Sequence, residues 1–149
     1  MQGPEIELQN TFFIAEDIKR EKPKEALEMY ENVILLSESM GDEEVKFRFQ
    51  SLKNIVVLSA RLHLLDKMIS NQRLLLKMVS KVAREDLSDA VNEVLDAVAH
   101  HLASQPESQS QIYKMTLDIL RTNIERLWFT TCLRLAKIYI DQKNYDQLD

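Results

Sequence analysis

The chain has 149 residues, of which 45% are hydrophobic and 29% charged, and its formal net charge at pH 7 is −5. This length is enough for one domain with a sizeable core, and the composition argues against intrinsic disorder. Two Gly and three Pro are too few for a turn-rich sheet protein or a glycine-rich phosphate loop. A single Cys forms no internal disulfide, which favours a reducing compartment, and the longest apolar runs are too short to span a bilayer.

Apolar residues recur at helical spacing along the chain, and they predict about seven helices and no strands. We expect the first helix to run from Pro4 to about Lys19 and the second to begin at Pro23, because proline suits the first helical turn. Gly41 is placed to end the second helix, since glycine tolerates the left-handed backbone that follows many helices.

The next three helices have less distinct boundaries. We expect the third to begin near Asp42, a candidate N-cap, and to end at a break near His63–Asp66. The fourth then extends to about Val82, and the fifth begins near Asp86 or Ser88. Their apolar stripes supply the expected core: Val45, Phe49, Leu52, Val56, Leu62, Met68, Leu75, Met78, Val91, Val94, Leu95, Val98 and Leu102.

The last third begins with Ser104–Ser110, which is polar, contains a proline and is expected to be a linker. A sixth helix follows, and a seventh covers Asn123–Gln142. After a tight connection, Tyr145 and Leu148 begin an amphipathic pattern that the chain does not complete. We therefore expect one helical-repeat domain over residues 1–149 that is cut within a repeat. The cut matters because a repeat unit does not bury its apolar face alone.

The connections between these helices are short, which favours antiparallel neighbours. Helix pairs recur at roughly 40 residues, a period found in α-solenoid repeats. Ala26 with Tyr30 and Ala136 with Tyr139 resemble the small-plus-aromatic packing of tetratricopeptide-type repeats. The expected fold is therefore all-α, with antiparallel helix pairs stacked as a short right-handed α-solenoid; a compact bundle is the alternative.

The side chains offer little catalytic chemistry. His63, His100 and His101 have no partner at zinc-ligand spacing, and adjacent histidines on a helix point about 100° apart. Cys132 follows Phe129 on the seventh helix and is expected to be a small buried hydrophobe. We therefore expect no enzyme activity, no metal and no cofactor.

Positive charge is concentrated in one block. Residues 45–84 carry nine basic side chains and one acidic side chain, whereas the segments on both sides are net negative. One stripe is expected on the third helix and a second on the fourth, and together they would attract an acidic partner. The candidate partner-binding residues are Lys46, Lys53, Arg73, Lys77, Lys81 and Arg84. A solvated face balanced by acidic neighbouring helices is the alternative; nucleic acid is disfavoured because the chain is acidic overall.

The seventh helix contains the pattern R-L-W-F-x-T at Arg126–Thr131, followed by L-x-K-x-Y at 135–139. This pattern is similar to R-L-W-F-K-T-N-x-K-L-G-K-L-Y in the family of COP-nine signalosome subunit 2. Further similarities occur upstream in the same order. They are Tyr113–Leu117 with Y-E-T-T-L, Val94–Asp96 with I-L-D, Phe49–Asn54 with F-K-A-L-K-Q and Pro23–Leu27 with P-K-A-A-L. The chain departs from the pattern at Thr130 and Cys132, so it resembles a divergent member.

The resemblance implies a non-catalytic scaffold whose helical repeats lead to a winged-helix PCI domain. It implies a complex that removes the modifier Nedd8 from cullins in the cytoplasm and nucleus, with the isopeptidase on another subunit. The implied partners are other signalosome subunits and a cullin–RING ligase, with inositol phosphate able to support that contact. Lys53 matches the second lysine of the family's F-K-A-L-K-Q and Arg84 matches a later arginine, whereas Gln50 replaces the first lysine.

Two other functions remain open at this point. One is the paralogous scaffold subunit of the proteasome lid, which the R-L-W-F pattern disfavours. The other is a general helical-repeat adaptor whose groove binds a peptide, which a concave surface lined by exposed apolar residues would favour.

Overall fold

The computed structural model describes residues 3–121 and 125–147, without the side chains of residues 42, 43, 125–128 and 144–147. Within these residues the chain forms α-helices, one short 3-10 helix and no strand. The 3-10 helix is Gly41–Glu44. The α-helices are α1 (Pro4–Ile18), α2 (Pro23–Ser37), α3 (Val45–Arg61), α4 (Leu65–Leu76), α5 (Arg84–His101), α6 (Pro106–Leu120) and α7 (Glu125–Gln147).

Proline begins three of these helices. Pro4 and Pro23 start α1 and α2, as predicted. Pro106 starts α6 in the same way, so the expectation that Ser104–Ser110 is a linker is wrong. The first helical position has no need of the N–H that proline lacks, and the polar residues after it are compatible with a solvated first turn.

The connection between α4 and α5 also differs from the prediction. The helix α4 ends at Leu76 rather than near Val82, and α5 begins at Arg84. Between them the amide of Met78 donates to the carbonyl of Leu75, which is a tight turn and not a continued α-helix. Met78 is nevertheless buried and Val82 packs against the core. Apolar residues therefore continue to reach the core at helical intervals although the segment after Leu76 is not helical.

Two residues with positive φ mark the other breaks. Gly41 has a φ of 64° and opens the 3-10 helix, whereas α2 ends at Ser37, so the expectation that Gly41 ends α2 is wrong. His63 has a φ of 58° and separates α3 from α4, which confirms the predicted break. The expected N-cap role of Asp42 concerns a side chain outside the described ones, and α3 itself begins at Val45.

The last helix is longer than predicted. The helix α7 continues through Tyr145 to Gln147, so the expected connection after Gln142 is absent from this part of the chain. Phe129, which belongs to the R-L-W-F pattern, is 59% exposed. The neighbouring Trp128 side chain and the whole of Leu148 lie outside the described residues.

The helices stack as antiparallel pairs around a central α3. The helix α1 packs on α2, α2 on α3, and α3 on α4, while α3 also lies beside α5, α4 beside α6, and α6 beside α7. The helix α3 contributes Ile55 and Leu58 to a core with α1 and α2, and Phe49, Leu52 and Val56 to a core with the later helices. This arrangement confirms the expected all-α stack of helix pairs, and it explains why almost no side chain of residues 51–60 reaches solvent.

Buried polar side chains connect neighbouring pairs. Gln72 of α4 is fully buried, and its Nε2 donates to Thr116 Oγ1 of α6 at 3.0 Å. In the first pair, the hydroxyl of Tyr30 and the amide of Asn54 both donate to Glu16 Oε1. Burial, and then the hydrogen bond to the Glu16 carboxylate, raise the pKa of Tyr30. These hydrogen bonds satisfy polar groups that would otherwise be costly to bury.

Candidate partner-binding surface

Five of the six predicted cations lie at one end of the helix stack. The helices α3 and α4 are antiparallel because only residues 62–64 join them, and α5 lies beside α3. The beginning of α3, the end of α4 and the beginning of α5 therefore lie at the same end. We call this surface the basic end and define it by Lys46, Arg73, Lys77, Lys81 and Arg84.

The side chains of the basic end are exposed to solvent. Arg73 lies in the last turn of α4 and Lys77 caps it, where the negative end of the helix dipole favours cations. Lys46 and Arg84 lie instead in the first turns of α3 and α5, where the dipole disfavours them. The expected second stripe on the fourth helix is therefore wrong, because Arg73 lies in α4, Lys77 caps it, Lys81 lies in the following turn and Arg84 begins α5.

The sixth predicted cation, Lys53, is placed differently. Its residue is 7% exposed, and its Nζ lies 2.8 Å from Glu93 Oε2 of α5. The expectation that Lys53 shares an open face with Lys46 is wrong, because α5 covers that face further along α3. Exposure falls along this face from Lys46 through Gln50 to Lys53. Lys53 therefore joins two helices and is not available to a partner in this structure.

The helical spacing on α3 alone offered no signal for the ion pair of Lys53. Positions 46, 50 and 53 do share one side of the helix, as predicted. Whether that side is open depends on which later helix packs there, and Glu93 lies forty residues further along the chain. In the sequence, Glu93 is one of many acidic side chains, and nothing distinguishes it as the partner of Lys53.

The chemistry of the basic end suits the binding of anionic groups. It presents ammonium and guanidinium groups that attract carboxylates or phosphates over a distance of about 10 Å at ordinary ionic strength. Glu85 and Asp86, in the first turn of α5, supply nearby negative charge. Among the described residues, no group of three or more His, Cys, Asp or Glu side chains could hold a metal ion.

The three histidines gather at the opposite end of α3 and α5. The rings of His100 and His101 have centroids 4.8 Å apart. Burial lowers the pKa of His101, and the nearby charges of His100, Arg61 and His63 lower it further. Sequence reasoning treated these histidines as separate surface residues, because the turn that brings His63 near α5 is a tertiary feature.

A cleft lies between the end of α5, the beginning of α6 and α7. Its volume is about 930 Å³, and it is lined by small residues such as Ala99 and Ala103 and by Arg134 and Lys137 of α7. The guanidinium of Arg134 spans to Asp96 of α5, with Nη2 at 2.9 Å from Oδ1. Cys132, on the same helix, is half-buried and not fully buried as expected.

Comparison with known proteins identifies the relationship of the chain. It is 29% identical over 147 residues to "COP9 signalosome complex subunit 2" of Drosophila melanogaster, a match that covers 97% of this chain and 32% of that protein. The corresponding protein of Emericella nidulans is 29% identical over 148 residues, which cover 97% of this chain and 28% of that protein. The corresponding protein of Caenorhabditis elegans is 26% identical over 149 residues, which cover 98% of this chain and 29% of that protein.

The chain is therefore similar along nearly its whole length to COP9 (COP-nine) signalosome subunit 2. This confirms the resemblance inferred from the R-L-W-F pattern and the similarities upstream of it. The chain spans about a third of the length of the signalosome subunits that it matches. No family model matches it, and no solved structure does. Of the helices that the structure describes, none combines the length and the apolar character needed to cross a membrane.

Proposed function

We propose that this protein is a non-catalytic scaffold of the COP9 signalosome. It holds neighbouring subunits by helix packing and contacts a cullin–RING ubiquitin ligase while Nedd8 is removed from the cullin, in the cytoplasm and the nucleus. The observation that supports this most is similarity to signalosome subunit 2 from several eukaryotes along nearly the whole chain. In the proposed arrangement, residues 1–149 form one helical-repeat domain ahead of a PCI domain.

The basic end is the proposed contact with the ligase. It combines exposed cations from α3, α4, the following turn and α5 on one side of an otherwise acidic protein. Such a surface accelerates association with an acidic partner and aligns it. Inositol phosphate, which the family resemblance implies, fits the same chemistry because guanidinium and ammonium groups bind phosphates. Lys53 acts indirectly here, by holding α3 against α5.

Charge reversal tests the proposed contact. We expect Lys46→Glu, Arg73→Glu and Lys77→Glu, combined in the full-length protein, to weaken binding to a neddylated cullin–RING ligase at least about tenfold. The affinity is measured by biolayer interferometry at low and high salt, and the wild-type affinity is expected to fall more steeply with salt. Far-UV circular dichroism should remain unchanged, because all three side chains are exposed.

The chain offers a matched control at its opposite end. Arg20, Lys22 and Lys24 are also exposed and lie around the start of α2, which is antiparallel to α3. Reversing these three gives the same net charge as reversing the basic end, and ligase affinity should stay within about twofold of wild type. If both triple variants lose the same affinity, the effect comes from net charge and the proposed contact is wrong.

A further inference from the structure

An aromatic cluster on the first and third helices reaches the surface. Phe12 and Phe13 of α1 and Phe47 of α3 form three edge-to-face pairs, with ring centroids 5.4 Å apart for Phe12–Phe13, 5.2 Å for Phe12–Phe47 and 5.9 Å for Phe13–Phe47. Phe12 is buried, but Phe13 is 55% exposed. The cluster therefore holds the ring of Phe13 in place while leaving much of that ring in water.

Further apolar side chains are exposed along α1. Ile14 is 50% exposed and Ile6 is 42% exposed. Ile6 and Phe13 are seven residues apart, so they lie almost directly in line on the helix, and Ile14 flanks that line. Single exposed apolar side chains are ordinary, whereas a contiguous group marks a binding surface. We call Phe13, Ile14 and Phe47 the aromatic patch; Gln9 and Asn10 separate Ile6 from it on α1.

The charges beside the aromatic patch are arranged asymmetrically. Phe47 lies between Lys46, which is exposed, and Arg48, which is half-buried. Asp17 follows Phe13 by one helical turn on α1 and is exposed. The α3 side of the patch thus carries two cations, with the Glu44 carboxylate one turn before Phe47, and the side toward the end of α1 is negative. A ligand with a carboxylate is attracted in one orientation and repelled in the other.

We propose that the aromatic patch binds a segment of a partner protein that carries a bulky apolar anchor followed or preceded by carboxylates. The anchor packs on the exposed face of Phe13 and against Phe47, and the carboxylates contact Lys46 and Arg48. Aromatic rings held rigid before binding are effective anchors, because little side-chain entropy remains to be lost. Lys46 also belongs to the basic end, so the acidic part of the ligand continues toward that surface.

This binding site goes beyond the proposed ligase contact and does not require it. The basic end attracts acidic surfaces by charge alone, whereas the aromatic patch selects for an apolar anchor at a defined place beside the acids. A membrane is a poorer occupant, because α1 carries Glu5 and Glu7 beside Ile6 and the chain is net negative. A second copy of the chain is the other occupant to consider, and the sedimentation measurement below distinguishes it from a partner protein.

Peptide selection tests the proposal without any signalosome component. Random peptides displayed on phage are selected on the 149-residue protein, and individual winners are then measured by fluorescence anisotropy. We expect the winners to contain Trp, Phe or Leu next to at least two acidic residues. Phe13→Ser should weaken their binding at least about tenfold, and Lys46→Glu should weaken it several-fold.

Ile140→Ser is the matched control, because Ile140 is 59% exposed but lies on α7, the last helix of the stack. Its peptide affinity should stay within about twofold of wild type. Ile14→Ser serves as a second patch variant in case Phe13→Ser alters the helical circular dichroism. Winners that bind all variants equally, winners without acidic residues, or the absence of any winner would overturn the proposal. Dimerisation of the wild type that Phe13→Ser abolishes in sedimentation would assign the patch to a second copy instead, and so would also overturn it.

Discussion

Removing the charge of Glu93 should destabilise the protein far more than removing the charge of Lys53, although both changes break the same ion pair. The Lys53 side chain is 9% exposed, whereas that of Glu93 is 47% exposed. In Glu93→Gln the buried ammonium keeps its charge and loses its counter-ion. In Lys53→Met the carboxylate that remains is half in water and can be hydrated, while methionine fills much of the same volume.

The magnitude follows from the geometry of the pair. At 2.8 Å the Coulomb attraction is about 6 kcal/mol for an effective dielectric constant of about 20. Most of this is offset by the cost of taking the ammonium out of water, and a net loss of ~2 kcal/mol is expected for Glu93→Gln. Lys53→Met should cost less than ~1 kcal/mol, because apolar replacements of buried charges are often tolerated.

A second ion pair with different burial provides the control. Lys67 Nζ lies 3.1 Å from Glu31 Oε2, but both side chains are more than a third exposed. Glu31→Gln should therefore cost no more than ~0.5 kcal/mol. Free energies of unfolding are measured by urea titration with far-UV circular dichroism at neutral pH. Equal losses in Glu93→Gln and Glu31→Gln, or a larger loss in Lys53→Met than in Glu93→Gln, would refute the reasoning from burial.

Three further changes test other parts of the fold. Thr116→Val should cost ~2 kcal/mol in urea unfolding, because it leaves the fully buried amide of Gln72 without its acceptor, and Gln72→Leu combined with it should recover part of that loss. Burial raises the pKa of both Tyr30 and Tyr113 in the folded protein, so their contribution to the free energy of unfolding should be fully present below about pH 10 and decline above it. Tyr30→Phe should make that decline shallower in unfolding measurements at alkaline pH. Gly41→Ala should lower the free energy of unfolding by ~1 kcal/mol, since the φ of 64° strains an L side chain even where space is open; an unchanged midpoint would argue against this backbone strain.

The beginnings of helices were predicted well where local chemistry determines them. Pro4 and Pro23 were placed correctly because proline is compatible with only a few helical positions, and the first turn is the commonest. The same reasoning would have found the start of α6 at Pro106. It failed there because the polar residues after Pro106 were interpreted as a linker, although a solvated first turn has the same composition.

The end of α4 was predicted less well for a physical reason. Leu75, Met78 and Val82 follow helical spacing, and all three contact the core. Only the first of them lies in α4, since a tight turn after Leu76 carries the others inward by a different route. Apolar spacing indicates which side chains are buried. An α-helix is one backbone conformation that buries side chains at these intervals, but a turn can do the same.

In the candidate site too, features set by local sequence were predictable and features set by the packing of distant helices were not. Exposure at Lys46 was predictable from its place near the start of the third helix, and exposure at Arg73 and Lys77 from the general rule that charged side chains stay in water. The burial of Lys53 was not predictable from α3 alone, because it depends on the packing of α5 against that helix. The exposure of Phe13 has the same origin, since the packing of α2 and α3 decides which side of α1 remains open.

The most direct test of the scaffold assignment is quantitative mass spectrometry of the full-length protein purified from cells that express it naturally. The proposed function predicts that the other signalosome subunits co-purify with it in near-equal amounts, and that a cullin–RING ligase is enriched at low salt and lost at high salt. Recovery of proteasome-lid subunits in place of signalosome subunits, or of the protein without any assembly, would contradict the assignment.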